Sequence, residues 1–409
     1  MGCPCGKEES GRILYHHRTQ AEDAQGIHIY EMVKAFGDLG YKVEVAALAE
    51  LDRTGERKIR GKRWRWLKQW GPQWLYEIMS LIYNLYGYLR LCSAIKTNKP
   101  FLIYERYALN TFCGIWASRR FGIPLVLEVN APLYYEQSKL GQITFRRLAR
   151  FSERWICSQS TWTIVVSQTM KNLLIQEGVP EEKMAVIANG IDPQKFHPHI
   201  SGEAVRQHYG LEGKLVVGFI GWFRKWHGLE MLLEIMHEAN LAAQGVRLLL
   251  VGDGPASPDL HRYTEQYHLQ SAVIFTGPVR RQEVPAYIAA MDITVQPNAT
   301  EYACPMKIFE YMAMGNCLVA PDQPNIREIL VDGMSAYLFR PGDRDHFKTV
   351  LLRAIHNPIE RRSVGQKACE TIHERGYLWA ANAEKVLNLV SENTVPQKTR
   401  PRILNWAGD

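Results

Sequence analysis

Short runs of apolar residues alternate along the chain with longer segments in which apolar residues recur every three or four positions. The short runs predict buried strands, and the longer segments predict helices that pack on them. In the first half, the predicted strands are RILYHH, KVEVAAL, FLIYER, PLVLEVN and WTIVVS, at residues 12–17, 42–48, 101–106, 124–130 and 162–167. After residue 198, they are KLVVGFIG, VRLLLVGDG, AVIFTG, ITVQP and CLVAP.

Strands that are apolar almost throughout, separated by helices, indicate parallel sheets covered on both faces. Because there are two such series, the sequence predicts an α/β fold of two doubly wound Rossmann-like domains that face each other across a cleft. The joint is VIANGIDPQKFHPHI, residues 186–200, whose Pro, Gly, Asn and Asp content suits a hinge. We expect a disordered tail at 1–11, domains at 12–188 and 189–375, and a second tail at 393–409.

Composition agrees with this division. A chain of 409 residues, 46% hydrophobic and 22% charged, is globular and suits two domains of about 200 residues each. Its eight cysteines show no zinc-binding spacing, which indicates free thiols in a reducing compartment. The opening MGCPCGKEES lacks the apolar core of a secretion signal, so we expect a cytoplasmic protein.

Candidate chemistry lies in YACPMKIFEYMAMGNCLVAP, residues 302–321, which predicts a loop, a helix and a strand. Pro305 suits the first helical position and Gly315 a left-handed stop. Lys307 and Glu310 then share one helix face near the amino end, beyond a strand end, where open α/β sheets bind nucleotides. The alternative is a solvated surface pair, which contributes about 0.2–0.5 kcal/mol.

Five motifs, in this order and approximate spacing, carry a family resemblance. They are NGIDPQKFHP (189–198), VGDGP (251–255), VIFTGPV (273–279), PMKIFEYMAMG (305–315) and GYLWAANAEKVLNLV (376–390). Together they resemble the retaining glycosyltransferases with the GT-B fold, known as glycosyltransferase group one, and the resemblance spans residues 12–390. It implies a nucleotide-sugar-binding C-terminal domain and an acceptor-side N-terminal domain. It also implies a helix at 376–392 that closes back on the N-terminal domain.

The resemblance places donor-binding residues in the second domain. Glu310 matches the family glutamate that holds the ribose hydroxyls, and Lys307, with the neighbouring amides up to Ile308, faces the diphosphate. The family usually has another glutamate about eight positions before Glu310, and here that position is Tyr302. Glu301, one residue away, is therefore either a catalytic group at the donor sugar or a surface residue.

A second departure from the family lies in GWFRKWHG, which opens at the donor-binding Gly221. Relatives commonly have Arg after the first glycine and Lys before the last, where this chain has Trp222 and His227. Arg224 and Lys225, between them, are the expected replacement cations, because a departing diphosphate needs charge stabilisation. His227 either contributes to the donor site or is a packed histidine satisfied by the backbone.

Two residues of the first domain complete the predicted site. In DAQGIHIYE, Gly26 resembles the family glycine that lets the first domain approach the diphosphate, or else it only begins a helix. In EVNAP, Asn130 ends a strand and is expected to face the cleft, where an amide can hydrogen-bond the donor sugar or the acceptor. Many relatives have a histidine there, and an asparagine does not act as a base.

The mechanism that the resemblance implies is same-face attack with retention at the anomeric carbon. The departing phosphate helps to take the proton of the acceptor hydroxyl. In this mechanism, fixed cations and helix ends replace a metal ion. We therefore expect no cofactor and no obligatory divalent ion, and the nucleotide-diphosphate sugar is a co-substrate.

A membrane-facing segment is predicted from RKIRGKRWRWLKQW, residues 57–70, and the amphipathic stretch 74–92 that follows. Basic residues mixed with tryptophan suit anionic headgroups. The candidate acceptor-side and membrane residues are Arg63, Trp64, Arg65, Trp66 and Lys68. We expect a peripheral protein at the inner face of the membrane with a lipid-linked or saccharide acceptor. Nucleic acid is not expected, since no base-stacking module surrounds these charges; the alternative is an ordinary helix beside a solvated basic loop.

The leading prediction is a retaining glycosyltransferase of polysaccharide or glycolipid biosynthesis. The alternative is a catalytically silent binding or scaffold subunit of the same shape. A nicotinamide enzyme is disfavoured, because no Gly-x-Gly-x-x-Gly motif follows the first strand.

Overall fold

The computed structural model describes residues 11–19, 24–47 and 72–394, and two sheets organise this part of the chain. The first sheet contains β1 (Arg12–His17), β2 (Lys42–Ala47), β3 (Leu102–Arg106), β4 (Leu125–Val129), β5 (Trp162–Val165) and β6 (Met184–Val186). The second contains β7 (Leu215–Ile220), β8 (Val246–Val251), β9 (Val273–Gly277), β10 (Ile293–Val295), β11 (Cys317–Pro321) and β12 (Tyr337–Phe339). All pairings within both sheets are parallel. The predicted α/β fold of two doubly wound domains is therefore confirmed.

Helices connect the strands. In the first half they are α1 (Ala24–Asp38), α2 (Gln73–Asn98), α3 (Cys113–Phe121), α4 (Leu133–Lys139), α5 (Arg146–Gln159) and α6 (Gln168–Gln176). In the second half they are α7 (Glu203–His208), α8 (Leu229–Glu238), α9 (Ser257–Gln266), α10 (Val284–Ala289), α11 (Met306–Ala313), α12 (Pro324–Arg327), α13 (Arg344–His356), α14 (Pro358–Glu374) and α15 (Trp379–Thr394).

Both faces of the sheets are buried, which explains why the strands are apolar without strict alternation. In β1, Ile13 and Tyr15 belong to one hydrophobic cluster and Leu14 to the cluster on the opposite face. The three-residue strands β6 and β12 were not predicted. They lie at the edges of their sheets, whereas the equally short β10, which was predicted from the run ITVQP, lies inside its sheet.

The chain crosses between the domains twice. It leaves the first domain after β6, and α15 returns and packs on α1. The indole N–H of Trp162 donates to the Leu389 carbonyl at 2.9 Å, and the Asn382 side-chain amide donates to the Ala188 carbonyl at 2.7 Å. Residues 1–10 of the predicted tail 1–11 and residues 395–409 of the second tail lie outside the described residues.

The order of the strands reverses between β7 and β10 in the second sheet, which runs β12-β11-β10-β7-β8-β9. It reverses between β1 and β3 in the first, which runs β2-β1-β3-β4-β5-β6. In open α/β sheets, ligands bind beyond the carboxyl ends of the strands at such reversals. The loops after β7 and β10 are therefore the expected walls of a site.

Candidate functional site

The site begins at the amino end of α11, beside the carboxyl end of β7. Pro305 precedes the helix without a side-chain hydrogen bond to its first turn, which leaves the positive end of the helix dipole uncapped by a side chain. Lys307 is half-buried, and its Nζ lies 3.8 Å from the centroid of the Phe219 ring. Burial lowers the pKa of Lys307 to about 7, with the charge of Glu310 opposing the shift. A cation and backbone amides thus lie together at this point.

Glu310, further along α11, is buried and has an ionic partner of its own. Its side chain is 7% exposed, and its Oε1 lies 2.6 Å from Nη2 of Arg281. Arg281 follows β9 and packs over the ring of Phe196, 4.9 Å from the centroid. The interpretation of Lys307 and Glu310 as a solvated surface pair is therefore wrong.

Two glycine loops meet beside Lys307. Gly221 has a φ of 138°, a conformation that favours glycine, and a methyl carbon added there would lie 3.0 Å from Nζ of Lys307. Gly252, with a φ of 130°, lies so close to the Gly221 loop that an added carbon would overlap the Gly221 carbonyl oxygen. The loop after β7 therefore requires glycine at the point nearest to the lysine.

The two replacement cations point in different directions. Lys225 begins a 3-10 turn, Lys225–His227, and its Nζ lies 3.4 Å from Oδ2 of Asp259 on α9. Arg224 is exposed, and its charge acts on Glu136 of the first domain. Of the two predicted cations, Arg224 faces the cleft, whereas Lys225 contacts α9.

His227 lies beneath the same loop. It is 5% exposed, its Nδ1 accepts the backbone N–H of Arg224 at 3.3 Å, and its ring meets that of Phe219 at 5.0 Å between centroids. Burial, followed by the charges of Lys307 and Arg224, lowers the pKa of His227 to about 2. The imidazole is therefore neutral at physiological pH and holds the loop in shape, and a direct contact with a donor stays a prediction.

Ile308 also lies behind the site. Its side chain is fully buried, and its backbone N–H donates to the Pro305 carbonyl at 3.1 Å. Next to it in the core, the Tyr311 hydroxyl accepts the backbone N–H of Ile220 at 2.9 Å. This bond fixes α11 against the end of β7. Ile308 therefore supports the helix start, and its predicted donor contact stays a prediction.

The predicted Glu301 lies where the two domains meet. Its Oε1 is 3.4 Å from Nζ of Lys139 on α4, and both side chains are largely exposed. Tyr302 is buried, and its ring meets that of Tyr135 edge to face at 6.1 Å. Burial raises the pKa of Glu136, also on α4, and the charge of Arg224 and the side chain of Tyr302 oppose this rise. The carboxylate of Glu301 is thus engaged with the first domain, and its role at a donor sugar stays a prediction.

Asn130 directly follows β4 and belongs to a polar cluster. Its side-chain amide donates to Glu128, whose buried carboxylate also accepts from Arg106 and from the Tyr104 hydroxyl, both at 2.8 Å. Nδ1 of His28 lies 3.2 Å from the same carboxylate. Burial alone raises the pKa of Glu128, but the charges of His28 and Arg106 outweigh it and the pKa is lowered. With its nitrogen engaged, Asn130 keeps its carbonyl oxygen as an acceptor.

Gly26 lies in the first turn of α1 and is buried. One of the two interpretations, that it begins a helix, agrees with this position. Residues 20–23, which precede the helix, lie outside the described residues. Its approach to a diphosphate stays a prediction.

Helix α2 contains the predicted amphipathic stretch 74–92, and in its first half the pattern is inverted. The buried face carries Glu77, Ser80 and Asn84 there, and Gly87, Leu91 and Ile95 further along. Large apolar side chains point outward, namely Trp74, Tyr76, Ile82, Leu85, Tyr86 and Leu89. The basic tract with Arg63, Trp64, Arg65, Trp66 and Lys68 lies outside the described residues.

Neither a metal cluster nor a membrane-spanning helix occurs in the described ranges. No three His, Cys, Asp or Glu side chains among them converge as a metal site requires. No helix within these ranges is long and apolar enough to cross a bilayer. We predicted that the transfer reaction needs no divalent metal ion. The arrangement of side chains does not test this, and it stays a prediction.

Three residues of the site were missed by sequence reasoning. Arg281 stands beside another arginine in an irregular loop, and no pattern distinguishes the two. Glu136 lies where the two domains meet, and Glu128 lies in the polar cluster around Asn130. Both positions result from tertiary packing, which no local sequence pattern reports. The only sequence signal for Glu128 is its place inside an otherwise apolar strand, since a buried charge there needs partners.

Both domains match known glycosyltransferases. Residues 25–195 match the protein-family model of Glycosyltransferase Family 4, and residues 214–357 match that of Glycosyl transferases group 1. A GDP-mannose-dependent alpha-mannosyltransferase of Mycobacterium tuberculosis is 28% identical over 270 residues, which is 63% of this chain and 65% of that protein. One component of the phosphatidylinositol N-acetylglucosaminyltransferase of Arabidopsis thaliana is 26% identical over 336 residues, 81% of this chain and 70% of that protein.

Among solved structures, that of Anabaena HepE in complex with UDP-glucose superposes with a TM-score of 0.70. It covers 93% of this chain and 99% of that one at 20% identity. At this identity, the likeness establishes the fold of two facing Rossmann-like domains.

Proposed function

Since the chain belongs to the group 1 and family 4 glycosyltransferases, we propose that it is a retaining glycosyltransferase that uses a nucleoside-diphosphate sugar. The acceptor is a lipid-linked or saccharide molecule, and the pathway is polysaccharide or glycolipid biosynthesis. One observation carries the proposal: the open amino end of α11 brings Lys307 beside the Gly221 loop, with Arg224 on the cleft side and buried Glu310 one turn away.

These groups match the parts of a nucleoside diphosphate. The helix end and Lys307 bind the phosphates, and Arg224 adds a second cation on the side where the sugar leaves. Arg281 holds Oε1 of Glu310, which leaves Oε2 to accept a ribose hydroxyl. The carboxylate is therefore oriented before the nucleotide arrives.

Retention follows if the acceptor attacks from the face that the diphosphate leaves. The bond from the anomeric carbon to the diphosphate oxygen breaks as the bond to the acceptor oxygen forms on the same face. The acceptor proton passes to the departing phosphate oxygen. Lys307, enclosed against Phe219, is positioned to keep the diphosphate in place during this exchange.

The outward face of α2 supports work at a membrane surface. Ile82, Leu85 and Leu89 are each more than 60% exposed, and apolar side chains in such a stripe gain by entering a bilayer interface. The carboxylate of Glu77 accepts two backbone N–H groups at the start of α5, from Thr144 and Phe145. This contact lies next to Arg146 and Arg147, the exposed first residues of α5. Their charges are therefore near the start of α2. The basic tract at 57–70 adds charge in sequence, at about 1 kcal/mol per residue near anionic lipid.

Two relatives support the substrate classes. The mannosyltransferase is named as GDP-mannose-dependent, and the Arabidopsis protein is named as part of a phosphatidylinositol N-acetylglucosaminyltransferase. A nucleotide-sugar donor and a lipid acceptor are therefore proposed together here.

The test of the enzyme is slow hydrolysis of UDP-glucose or GDP-mannose in the absence of acceptor. We expect one donor to be hydrolysed, and Arg224→Met to reduce the rate about 10²-fold or more. Arg262→Met, which removes an exposed arginine of α9, is the matched control and keeps the rate. No hydrolysis of either donor would favour the catalytically silent scaffold.

Two further readouts test the mechanism. The anomeric configuration of a transferred sugar, measured by NMR, is expected to equal that of the donor, and inversion would contradict the proposal. Chelation with EDTA is expected to leave the rate unchanged; loss of activity that magnesium or manganese restores would show that a metal is required.

Membrane association is tested by sedimentation with phosphatidylglycerol-containing vesicles. The double change Leu85→Glu and Leu89→Glu is expected to weaken binding at least tenfold. Ile359→Glu replaces an equally apolar residue that is 84% exposed on α14 of the second domain, and it is expected to bind normally. Equal sedimentation of both variants would contradict a membrane role for α2.

A further inference from the structure

The start of helix α6, in the first domain, is bound by a carboxylate of the second domain. Glu328 directly follows α12, and its two carboxylate oxygens accept the backbone N–H groups of Gln168 and Thr169 at 2.7 and 3.0 Å. The Thr169 hydroxyl donates to the same carboxylate at 3.1 Å. The unpaired amides and the positive dipole end of a helix favour such an anion. One side chain of the second domain thus caps a helix of the first.

Ser167, the residue before α6, adds a second contact between the domains. Its hydroxyl accepts the backbone N–H of Met170 at 3.1 Å, as an N-cap residue does, and donates to the Tyr302 carbonyl at 3.2 Å. Together with the Glu328 carboxylate, it pairs the first three amides of α6. We call the contacts of residues 167–169 with the second domain the α6 junction.

The second-domain side of the α6 junction is continuous with the start of α11. Tyr302 lies in the loop that leads into this helix. The side-chain amide of Asn325, on α12, donates to the carbonyls of Thr300 and Ala303 in the same loop, at 3.0 and 2.6 Å. The two points that hold α6 are therefore joined to each other and to the helix that carries Lys307.

Glu328 also holds the segment by which the chain returns to the first domain. Its backbone carbonyl accepts from Nη1 of Arg375 at 2.9 Å and from the Tyr377 hydroxyl at 3.2 Å. Both donors lie between α14 and α15. The ring of Tyr377 meets that of Phe309 on α11 edge to face, at 5.2 Å between centroids. Glu328 thus contacts the first domain with its side chain and the return segment with its backbone.

Two other polar contacts across the cleft are weaker. The ion pair of Lys139 with Glu301 is largely exposed, and solvent screening leaves such a pair little net stabilisation. The bond from Ser167 to the Tyr302 carbonyl joins uncharged groups, and hydrogen bonds to a charged group are roughly twice as strong. Of these three contacts, the Glu328 carboxylate with its three donors is therefore the strongest.

We propose that the Glu328 carboxylate is an interdomain latch, which fixes the first domain against the start of α11 and so sets the width of the cleft. The consequence for catalysis rests on the proposed function. A donor bound at α11 and an acceptor held by the first domain must meet at the right distance, and a misplacement of about 1 Å costs about a hundredfold in rate. Binding of the diphosphate does not require the latch, because Lys307, Arg224 and Glu310 all lie in the second domain.

Small-angle X-ray scattering without nucleotide tests the latch in the natural protein, Glu328→Ala and Thr169→Val. Alanine removes the three bonds of the carboxylate and keeps the backbone carbonyl that holds Arg375 and Tyr377. We expect a larger radius of gyration for Glu328→Ala, and a smaller shift in the same direction for Thr169→Val, which loses only the hydroxyl bond. Hydrogen exchange of the first amides of α6 is expected to be at least about tenfold faster in Glu328→Ala, since they lose a charged acceptor.

Glu181→Ala is the matched control. Glu181 also pairs with a residue of α6, Lys171, at 3.2 Å, but both residues belong to the first domain. This variant is expected to have the radius of gyration of the natural protein. If Glu328→Ala does not fold, the isosteric Thr169→Val decides by the same measurement.

An unchanged radius of gyration in Glu328→Ala, even with faster exchange in α6, would show that the carboxylate only caps the helix and would overturn the inference. Titration of UDP and GDP separates the latch from the nucleotide site. We expect Glu328→Ala to bind the diphosphate as well as the natural protein does, and a matching loss of affinity would contradict a latch that acts on the cleft alone. If the natural protein binds neither diphosphate, the proposed function fails, whereas the scattering result still decides on the latch.

Discussion

Oε1 of Glu310 lies 2.6 Å from Nη2 of Arg281, and this ion pair connects the start of α11 with the loop after β9. The carboxylate proposed to hold the ribose is thus already oriented by a neighbour. Its second oxygen is the one that a ribose hydroxyl is expected to meet.

Loss of this pair is expected to destabilise the protein. Arg281→Met leaves a buried carboxylate without its cation, which costs about 1–3 kcal/mol in the free energy of unfolding. Arg280→Met, next in the chain, removes a guanidinium that is 78% exposed and pairs with Glu283, so little change in Tm is expected. Urea unfolding of both variants measures the difference. Equal stabilities would show that the pair does not contribute.

Diphosphate affinity is expected to depend on pH through Lys307. Burial lowers its pKa to about 7, and a bound anion favours the protonated amine and raises that pKa. The affinity for the diphosphate is therefore highest below pH 7. Above pH 7 it falls by up to about tenfold per pH unit, until the pH reaches the pKa that Lys307 has in the bound state. Titrations between pH 7 and 9, where the diphosphate is fully ionised, measure this slope. Lys307→Arg stays protonated over this range, and an equal slope in that variant would assign the effect to another group.

Two glycines within helices are expected to respond oppositely to alanine. In α3, a methyl group on Gly114 would overlap the carboxylate of Glu105, which is buried and lies 2.5 Å from Nδ1 of His16. Gly114→Ala is therefore expected to cost about 1–3 kcal/mol. In α1, nothing lies within 4 Å of an added carbon on Gly37, and Gly37→Ala is expected to stabilise by about 0.5–1 kcal/mol. The denaturation midpoint of each variant is compared with that of the natural protein. Shifts in the same direction for both variants would contradict this packing.

The fold was predictable because long buried strands and helices have a clear apolar period. The edge strands β6 and β12 were missed, although the inner strand β10 is equally short and was found. In α2 the period was found, but the sequence did not show which face is inward. Asn84 settles the orientation by accepting the backbone N–H of Cys113 at 3.0 Å, a tertiary contact that no local pattern reports.

The site was predictable where local structure determines it. Pro305 and the apolar stripe of α11 place Lys307 and Glu310 at a helix start, and the structure agrees. The choice between Arg224 and Lys225 was not predictable, because a 3-10 turn directs Lys225 to Asp259. Such a turn depends on packing beneath the loop.

The most direct test of the account is the shift in Tm caused by UDP, GDP and ADP in the natural protein and in Glu310→Ala, since a ligand that binds only the folded state stabilises it. The account predicts that one diphosphate raises the Tm of the natural protein by several degrees and that Glu310→Ala loses most of that shift. No shift with any of the three, or an equal shift in both proteins, would contradict the nucleotide site at the start of α11.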